Sequence, residues 1–287
     1  MELKEAFDKN YKLILVMPMA LLLFSAFILI SGFLATGEWF KRDIELSGGT
    51  LITLQLDAPV ETGRLEKSLA AYKAGVKELR GLGGYGISIS LGPDADSDAI
   101  IAELREQGID TSSSSVRQIG SALGASFWEQ TQLGILLAFI FMGIVVFFIF
   151  RDVVPSAAVI LCAVSDIGST FAFMQIFDIK LSLAALSAIL MLIGYSVDTD
   201  ILLTTNFLKK KGPFFARYRN AVITGLMMTL TSIGAMTILL VFQISPVITQ
   251  IASVLIIGLV MDIFYTWLQN SILIRWYCER KGLITER

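Results

Sequence analysis

The 287-residue chain contains no histidine. That removes the commonest transition-metal ligand and the side chain that usually moves protons near neutrality. Any proton chemistry therefore falls to carboxylates. Cysteine is nearly absent too, with Cys162 and Cys278 each in or beside an apolar segment. They read as lipid-facing or packing residues, since two thiols build neither a disulfide framework nor a Cys-rich metal centre. Charge is scarce: Asp, Glu, Lys and Arg make up 17% of the chain, where a soluble domain carries about a quarter. No Lys or Arg lies deep inside any long apolar run. No nucleophile stands with a base, and there is no phosphate loop. The glycine-rich "GLGGYG" (81–86) joins two predicted strands and opens no helix. These absences exclude an enzyme reading, and no cofactor or metal is expected.

What the chain has in excess is apolar sequence, 55% of its residues with a mean hydropathy of +0.71. Six runs reach bilayer length: 12–36, 131–150, 154–177, 181–206, 219–242 and 247–274. The first follows Lys4, Lys9 and Lys12 as a signal peptide would. Its apolar core is too long for one, so it reads as an uncleaved anchor. The net charge of −2 is uninformative because the charges are segregated. The loop "NFLKKKGPFFARYRN" (206–220) holds Lys209, Lys210, Lys211, Arg217 and Arg219 and no acid, and the tail adds Arg275, Arg280, Lys281 and Arg287. Basic loops stay inside. The sequence thus predicts a cell-membrane protein with both termini cytoplasmic. It divides into residues 1–36 (N-terminus and first span), 37–130 (outside), 131–275 (five spans) and 276–287 (cytoplasmic tail). The basic loop is more simply a topology signal than a nucleic-acid patch; it can also touch anionic membrane lipid.

Within 37–130, "TLITLQL" (50–56) alternates like a strand. "PVETGRLEKSLAAY" (59–72) has helical spacing with Pro59 near its start, and "GVKELRGL" (75–82) and "GYGISISL" (84–91) are two strands. "PDADSDAIIAELREQG" (93–108) is a helix ended by Gly108, and "SSSSVRQIG" (112–120) a last strand. The order β-α-β-β-α-β predicts an extracytoplasmic α+β ferredoxin-like domain between spans one and two. That fold alone assigns no function.

Four acids fall inside the apolar runs: Asp166, Asp198, Asp200 and Asp262. Each costs about 2.5–3.5 kcal/mol at a membrane helix centre. Counted at about 1.5 Å per residue from Lys209, Arg151 and Arg275, the acids Asp198, Asp166 and Asp262 lie about 16, 22 and 20 Å deep. Against a core of about 30 Å these are mid-bilayer depths. Asp198 and Asp200 project about 200° apart on a helix. Ser196, Asp200 and Thr204 form one stripe; Tyr195, Asp198 and Thr205 form the other. Both faces must meet protein or water, which predicts a central helix. With no cation nearby, either the acids are protonated much of the time, or another chain supplies the counter-charge. The bland alternative is neutral acids hydrogen-bonded to Ser165, Tyr195, Thr199 or Thr229 that merely hold helices together.

"GYSVDTDILL" (194–203) followed by "TTNFLKKKG" closely resembles the fourth-helix signature of the SecF family of protein-export membrane subunits, relatives of the resistance-nodulation-division (RND) transporters. "DIELSGGTLITLQ" (43–55) resembles that family's Gly-Gly-Thr motif, "VRQIGSALGASF" (116–127) its landmark before the second helix, and "SDIGSTFAF" (165–173) its third-helix acid. The layout of one helix, an outer domain and five helices also fits, so the resemblance covers nearly the whole chain. The commoner bacterial signature carries one acid where Thr199 stands here, with acids now on both sides; this resembles the archaeal form. The resemblance implies half of an RND-like bundle, paired with SecD beside the Sec translocon channel. Such a pair assists a translocating polypeptide by using a proton or sodium gradient. It also implies ion-coupling roles for Asp198, Asp200, Asp166 and Asp262, supported by Tyr195, Ser196, Thr199 and Thr204. Asp198 is favoured over Asp200 because it matches the SecD position. Glu45, Gly48, Gly49 and Thr50 form the family motif at the base of the outer domain, and glycine pairs of this kind chiefly serve a tight turn. Two rivals share the fold: a half-transporter of a lipid or small molecule, and a scaffold for SecD with no ion pathway.

Overall fold

A computed structural model describes residues 13–56, 60, 62–72, 74–81, 84–92, 95–210 and 212–282. Lys4, Lys9, Lys12, Pro59, Lys211 and Arg287 lie outside the described residues.

Six helices are long and apolar enough to cross a membrane. They are α1 (Val16–Thr36), α5 (Ser121–Phe150), α6 (Val153–Ile176), α7 (Leu183–Leu208), α8 (Phe214–Phe242) and a last span. That span runs as α9 (Pro246–Phe264), a π-helical turn (Tyr265–Asn270) and α10 (Ser271–Arg280). The chain is therefore a multi-pass α-helical membrane protein. Three helix starts have visible causes. Ser182 caps α7 by accepting from the Ala185 N–H, Asp152 caps α6 by accepting from Val154 N–H, and Pro246 opens α9 where its missing donor costs nothing.

Several spans overrun their predicted limits, the second and the sixth furthest. The second helix begins at Ser121, not near 131. Residues 121–130 contain no proline, and Gly124 lies against the backbone of Ser47 and Gly48, so the helix continues upward to meet the domain base. The boundary drawn at 130 thus falls inside a helix. The sixth runs to Arg280, where Arg275 is buried and paired with Glu279.

The outer domain has the predicted element order. Its strands are β1 (Gly49–Leu56), β2 (Gly75–Gly81), β3 (Gly84–Leu91) and β4 (Ser114–Ile119), in the antiparallel order β2-β3-β1-β4. Two helices, α3 (Thr62–Ser68, extended by a 3₁₀ turn to Tyr72) and α4 (Ser97–Glu106), cover one face. Ile52, Leu54, Leu65, Ile87, Ile89, Ile100 and Leu104 pack between these layers. Thr53, Gln55, Ser88 and Ser90 face the other way, into a cleft of about 580 Å³ above the outer ends of the bundle. A one-turn helix, α2 (Ile44–Ser47), was not anticipated in the Gly-Gly-Thr motif. Gly48 and Gly49 follow it at φ +77° and +144°. A side chain on Gly49 would strike the Leu91 carbonyl and one on Gly48 would strike Ser121, so both glycines are demanded by conformation and close approach together.

In the bundle, α6, α7 and α9 form the centre and α1, α5 and α8 the periphery. Cys162 and Cys278 are both buried packing residues. At the end opposite the sheet, Lys209 donates to the Ile149 carbonyl, and Lys281 and Tyr277 both donate to Asp152. This Lys281 ammonium, followed by the Tyr277 hydroxyl, holds the Asp152 carboxyl below the usual carboxylate range.

Candidate functional site

Three of the four acids meet in the interior. Asp166 on α6, Asp200 on α7 and Asp262 on α9 are all fully or almost fully buried. Asp200 Oδ1 accepts from the Asn270 amide at 2.7 Å and from the Thr266 hydroxyl at 3.0 Å. The same hydroxyl lies 2.9 Å from Asp262 Oδ1. Thr199 Oγ1 lies 3.1 and 3.2 Å from the two Asp262 oxygens and 2.8 Å from the Ser196 carbonyl. Ser196 stands beside both Asp166 and Asp262. Among the described residues no hydrogen-bond partner reaches either oxygen of Asp166, Asp200 Oδ2, the Ser196 hydroxyl or that of Thr204.

Counting hydrogens constrains this cluster. A threonine hydroxyl has one hydrogen to give. Thr266 Oγ1 contacts one oxygen of each of two carboxyls, so both contacts are hydrogen bonds only when one acid carries a proton and donates it back. Thr199 leads to the same count independently: if it donates to the Ser196 carbonyl, its contact with Asp262 needs a proton on Asp262. The arrangement suits a carboxyl pair that holds one proton between two helices, bridged by a hydroxyl.

Asp198 is not in this cluster. It is exposed, on the same outward face of α7 as Tyr195, while Ser196, Thr199, Asp200 and Thr204 turn inward. The two faces separate as the 200° spacing predicts, and the acid facing the other two is Asp200, not the favoured Asp198. Tyr195 likewise stands apart from the interior group. The expected partners Ser165 and Thr229 do not bond the acids: Ser165 bonds its own helix and accepts from Gln269, and Thr229 has no hydrogen-bond partner among the described residues. The central position of α7 holds for its Asp200 face.

Thr266, Gln269 and Asn270 were missed. They follow Asp262 at i+4, i+7 and i+8, which a helical reading of "DIFYTWLQNS" (262–271) marks as one polar stripe. They sit in the π-helical turn, a local widening often found at functional sites. The Trp267 ring is accommodated there by Gly225 of α8, whose Cβ would fall 2.1 Å from it. Nearby, Tyr265 and Ser169 share a 2.6 Å hydroxyl contact, continuing the polar interior between α9 and α6.

At the domain base, the Glu45 carboxylate accepts from the Leu183 N–H at 3.0 Å, at the start of α7, and faces Arg117 at 3.5 Å. A carboxylate there also complements the helix dipole. Thr50 is buried in β1 beside Gly49.

Residues 99–280 match the family described as protein export membrane protein SecD/SecF, C-terminal. Curated relatives named protein-export membrane protein SecF are similar over nearly their whole length. The chain is 39% identical to that of Methanocaldococcus jannaschii over 94% of this chain and 96% of the relative, and 36% identical to that of Methanolacinia petrolearia over 94% and 95%. The solved SecDF of Thermus thermophilus, described as a translocon-associated membrane protein, shares the fold with a TM-score of 0.74 at 18% identity. The match covers 94% of this chain and 38% of that one. Full-length likeness to these relatives, together with the family match across the acid-bearing helices, shows that the chain belongs to the SecF family of protein-export membrane proteins.

Proposed function

We propose that this chain is the SecF half of a SecD–SecF pair that draws on a proton gradient to assist polypeptides leaving the Sec translocon channel. The observation that carries the reading is the hydroxyl-bridged pair Asp200–Asp262, buried with Asp166 at the junction of three helices. Intramembrane acids are costly and mark ion paths. With one proton shared, the bridged pair carries a single negative charge and packs stably. Loss of its proton leaves like charges side by side in a low-dielectric interior, which favours separation of α7 from α9. The π-helical turn supplies slack for that step.

Asp198 has a different role in this account. An exposed acid at mid-bilayer depth is not left to lipid, and Asp198 and Tyr195 mark the face of α7 that SecD covers. Basic residues at the end of the bundle opposite the sheet support a cytoplasmic location for both termini. The outer domain then faces the emerging chain.

The test is export of a secreted reporter in cells carrying Asp200→Asn or Asp262→Asn, with SecD co-purification scored in the same strains. The expected result is lost export with SecD still bound. Normal export in both variants would refute ion coupling at this site and favour a scaffold; lost SecD binding would make the acids assembly residues.

A further inference from the structure

The three helices that carry the buried acids are tied together a second time, at their outer ends. The loop between α6 and α7 passes through the tie. Leu181 exchanges backbone hydrogen bonds with residues leading into the outer domain, its N–H donating to the Lys41 carbonyl and its carbonyl accepting from Asp43 N–H, both at 2.8 Å. Ser182 donates to Gln250 Oε1 of α9 at 2.8 Å, and Gln250 Nε2 returns a bond to the Lys180 carbonyl at 2.9 Å. Glu45 accepts from Leu183 N–H at the start of α7.

One knot thus holds the end of α6, the start of α7, the first turns of α9 and the stem of the outer domain. From Leu183 to Asp200 is about 26 Å of continuous helix, and from Gln250 to Asp262 about 18 Å. Helices of this length move as rods. A shift of α7 against α9 at the carboxyl pair therefore reaches the knot as relative movement of Leu183 and Gln250. The knot's side of the outer domain is also where the cleft opens beneath the sheet, lined by Glu45, Ser90, Arg117, Lys180 and Gln250.

We propose that this knot is the link through which the acids move the outer domain, with Glu45 and Gln250 as its positioning residues. The proposal rests on the acid-coupling reading above and adds the route by which it is transmitted. Glu45 follows α7 and Gln250 follows α9. Losing either bond set loosens one tie of the knot, that of α7 to the domain stem or that of α9 to the α6–α7 loop, while leaving the Leu181 backbone bonds, the carboxyl pair and the outer-domain core untouched.

The experiment places spin labels at Val116→Cys on β4 and Phe242→Cys at the outer end of α8, both exposed positions, in membranes that also contain SecD. The distance distribution is read with and without Asp200→Asn, which fixes a neutral side chain at the pair. A shift caused by Asp200→Asn that shrinks in Glu45→Ala and in Gln250→Leu, with SecD co-purification retained, supports the link. A shift undiminished in both overturns it. Lost export in Asp200→Asn with no distance shift also overturns the link but leaves acid coupling standing. Normal export in Asp200→Asn removes the coupling reading and the link with it.

Discussion

The two cores of this molecule are built on opposite terms. The outer domain's interior is aliphatic, with Ile52, Leu54, Ile87, Ile89, Ile100 and Leu104 all fully buried. The centre of the membrane bundle buries Asp166, Ser196, Asp200, Asp262, Thr266 and Asn270 among apolar residues such as Ile189, Leu192 and Leu255. In water an apolar core is the main source of stability. In a membrane the surroundings are already apolar, so helix association rests on close packing and hydrogen bonds. Polar atoms that find no hydrogen-bond partner among the described residues, such as both oxygens of Asp166, are unfavourable there.

That contrast can be broken deliberately. Leu54→Ala in the outer core should have the largest effect, about 2–5 kcal/mol. It should unfold the domain without dispersing the bundle, seen as new proteolysis between residues 49 and 119 while the spans stay protected. Gly124→Ala comes next, at about 1–3 kcal/mol. Its methyl would fall 2.4 Å from the Gly48 backbone, where no side chain can swing away. Gly134→Ala on the same helix meets nothing within 4 Å and should leave the thermal midpoint unchanged.

Thr266→Val tests the polar core. It keeps the shape and removes the bridging hydroxyl, leaving a buried acceptor short of its partner at a cost of about 1–3 kcal/mol. Export should fall with it, and Thr266→Ser should restore both export and the midpoint. Equal loss in Val and Ser would make the contact a matter of packing. The smallest effect belongs to the Asp152 clamp at the end of the bundle opposite the sheet. Asp152→Asn should cost about 1 kcal/mol or less. Because its folded carboxyl titrates below the unfolded value, the clamp's contribution is complete above the unfolded value of about 3.9 and is lost as pH falls through the folded one. The thermal midpoints of the parent and Asp152→Asn should therefore converge in acid and differ at neutral pH.

Much of this architecture was legible in the sequence for identifiable reasons. Spans announce themselves by length, and the outer strands by alternation of Leu and Ile with Thr, Ser and Gln. The acids stood out because each is costly where it lies. Their division was harder. Spacing puts Asp198 and Asp200 on opposite faces, but Tyr195 and Thr205 make one face as polar as Ser196 and Thr204 make the other. Only neighbouring helices decide which turns inward. The start of α5 was hidden because residues 121–130 are helical without being apolar. Thr266 and Asn270 were masked by the apolar run around them, and the π-helical turn depends on a tertiary fit, the Trp267 ring against Gly225.

The central claim is that Asp200 and Asp262 share a proton through Thr266. Infrared difference spectra of the purified protein at neutral pH test it most directly, by the carbonyl stretch of a protonated carboxyl. The account predicts that this band is present, shifts in Thr266→Val and is lost in Asp200→Asn or Asp262→Asn. A parent spectrum showing only ionised carboxylates, or a band unmoved by all three substitutions, would contradict it.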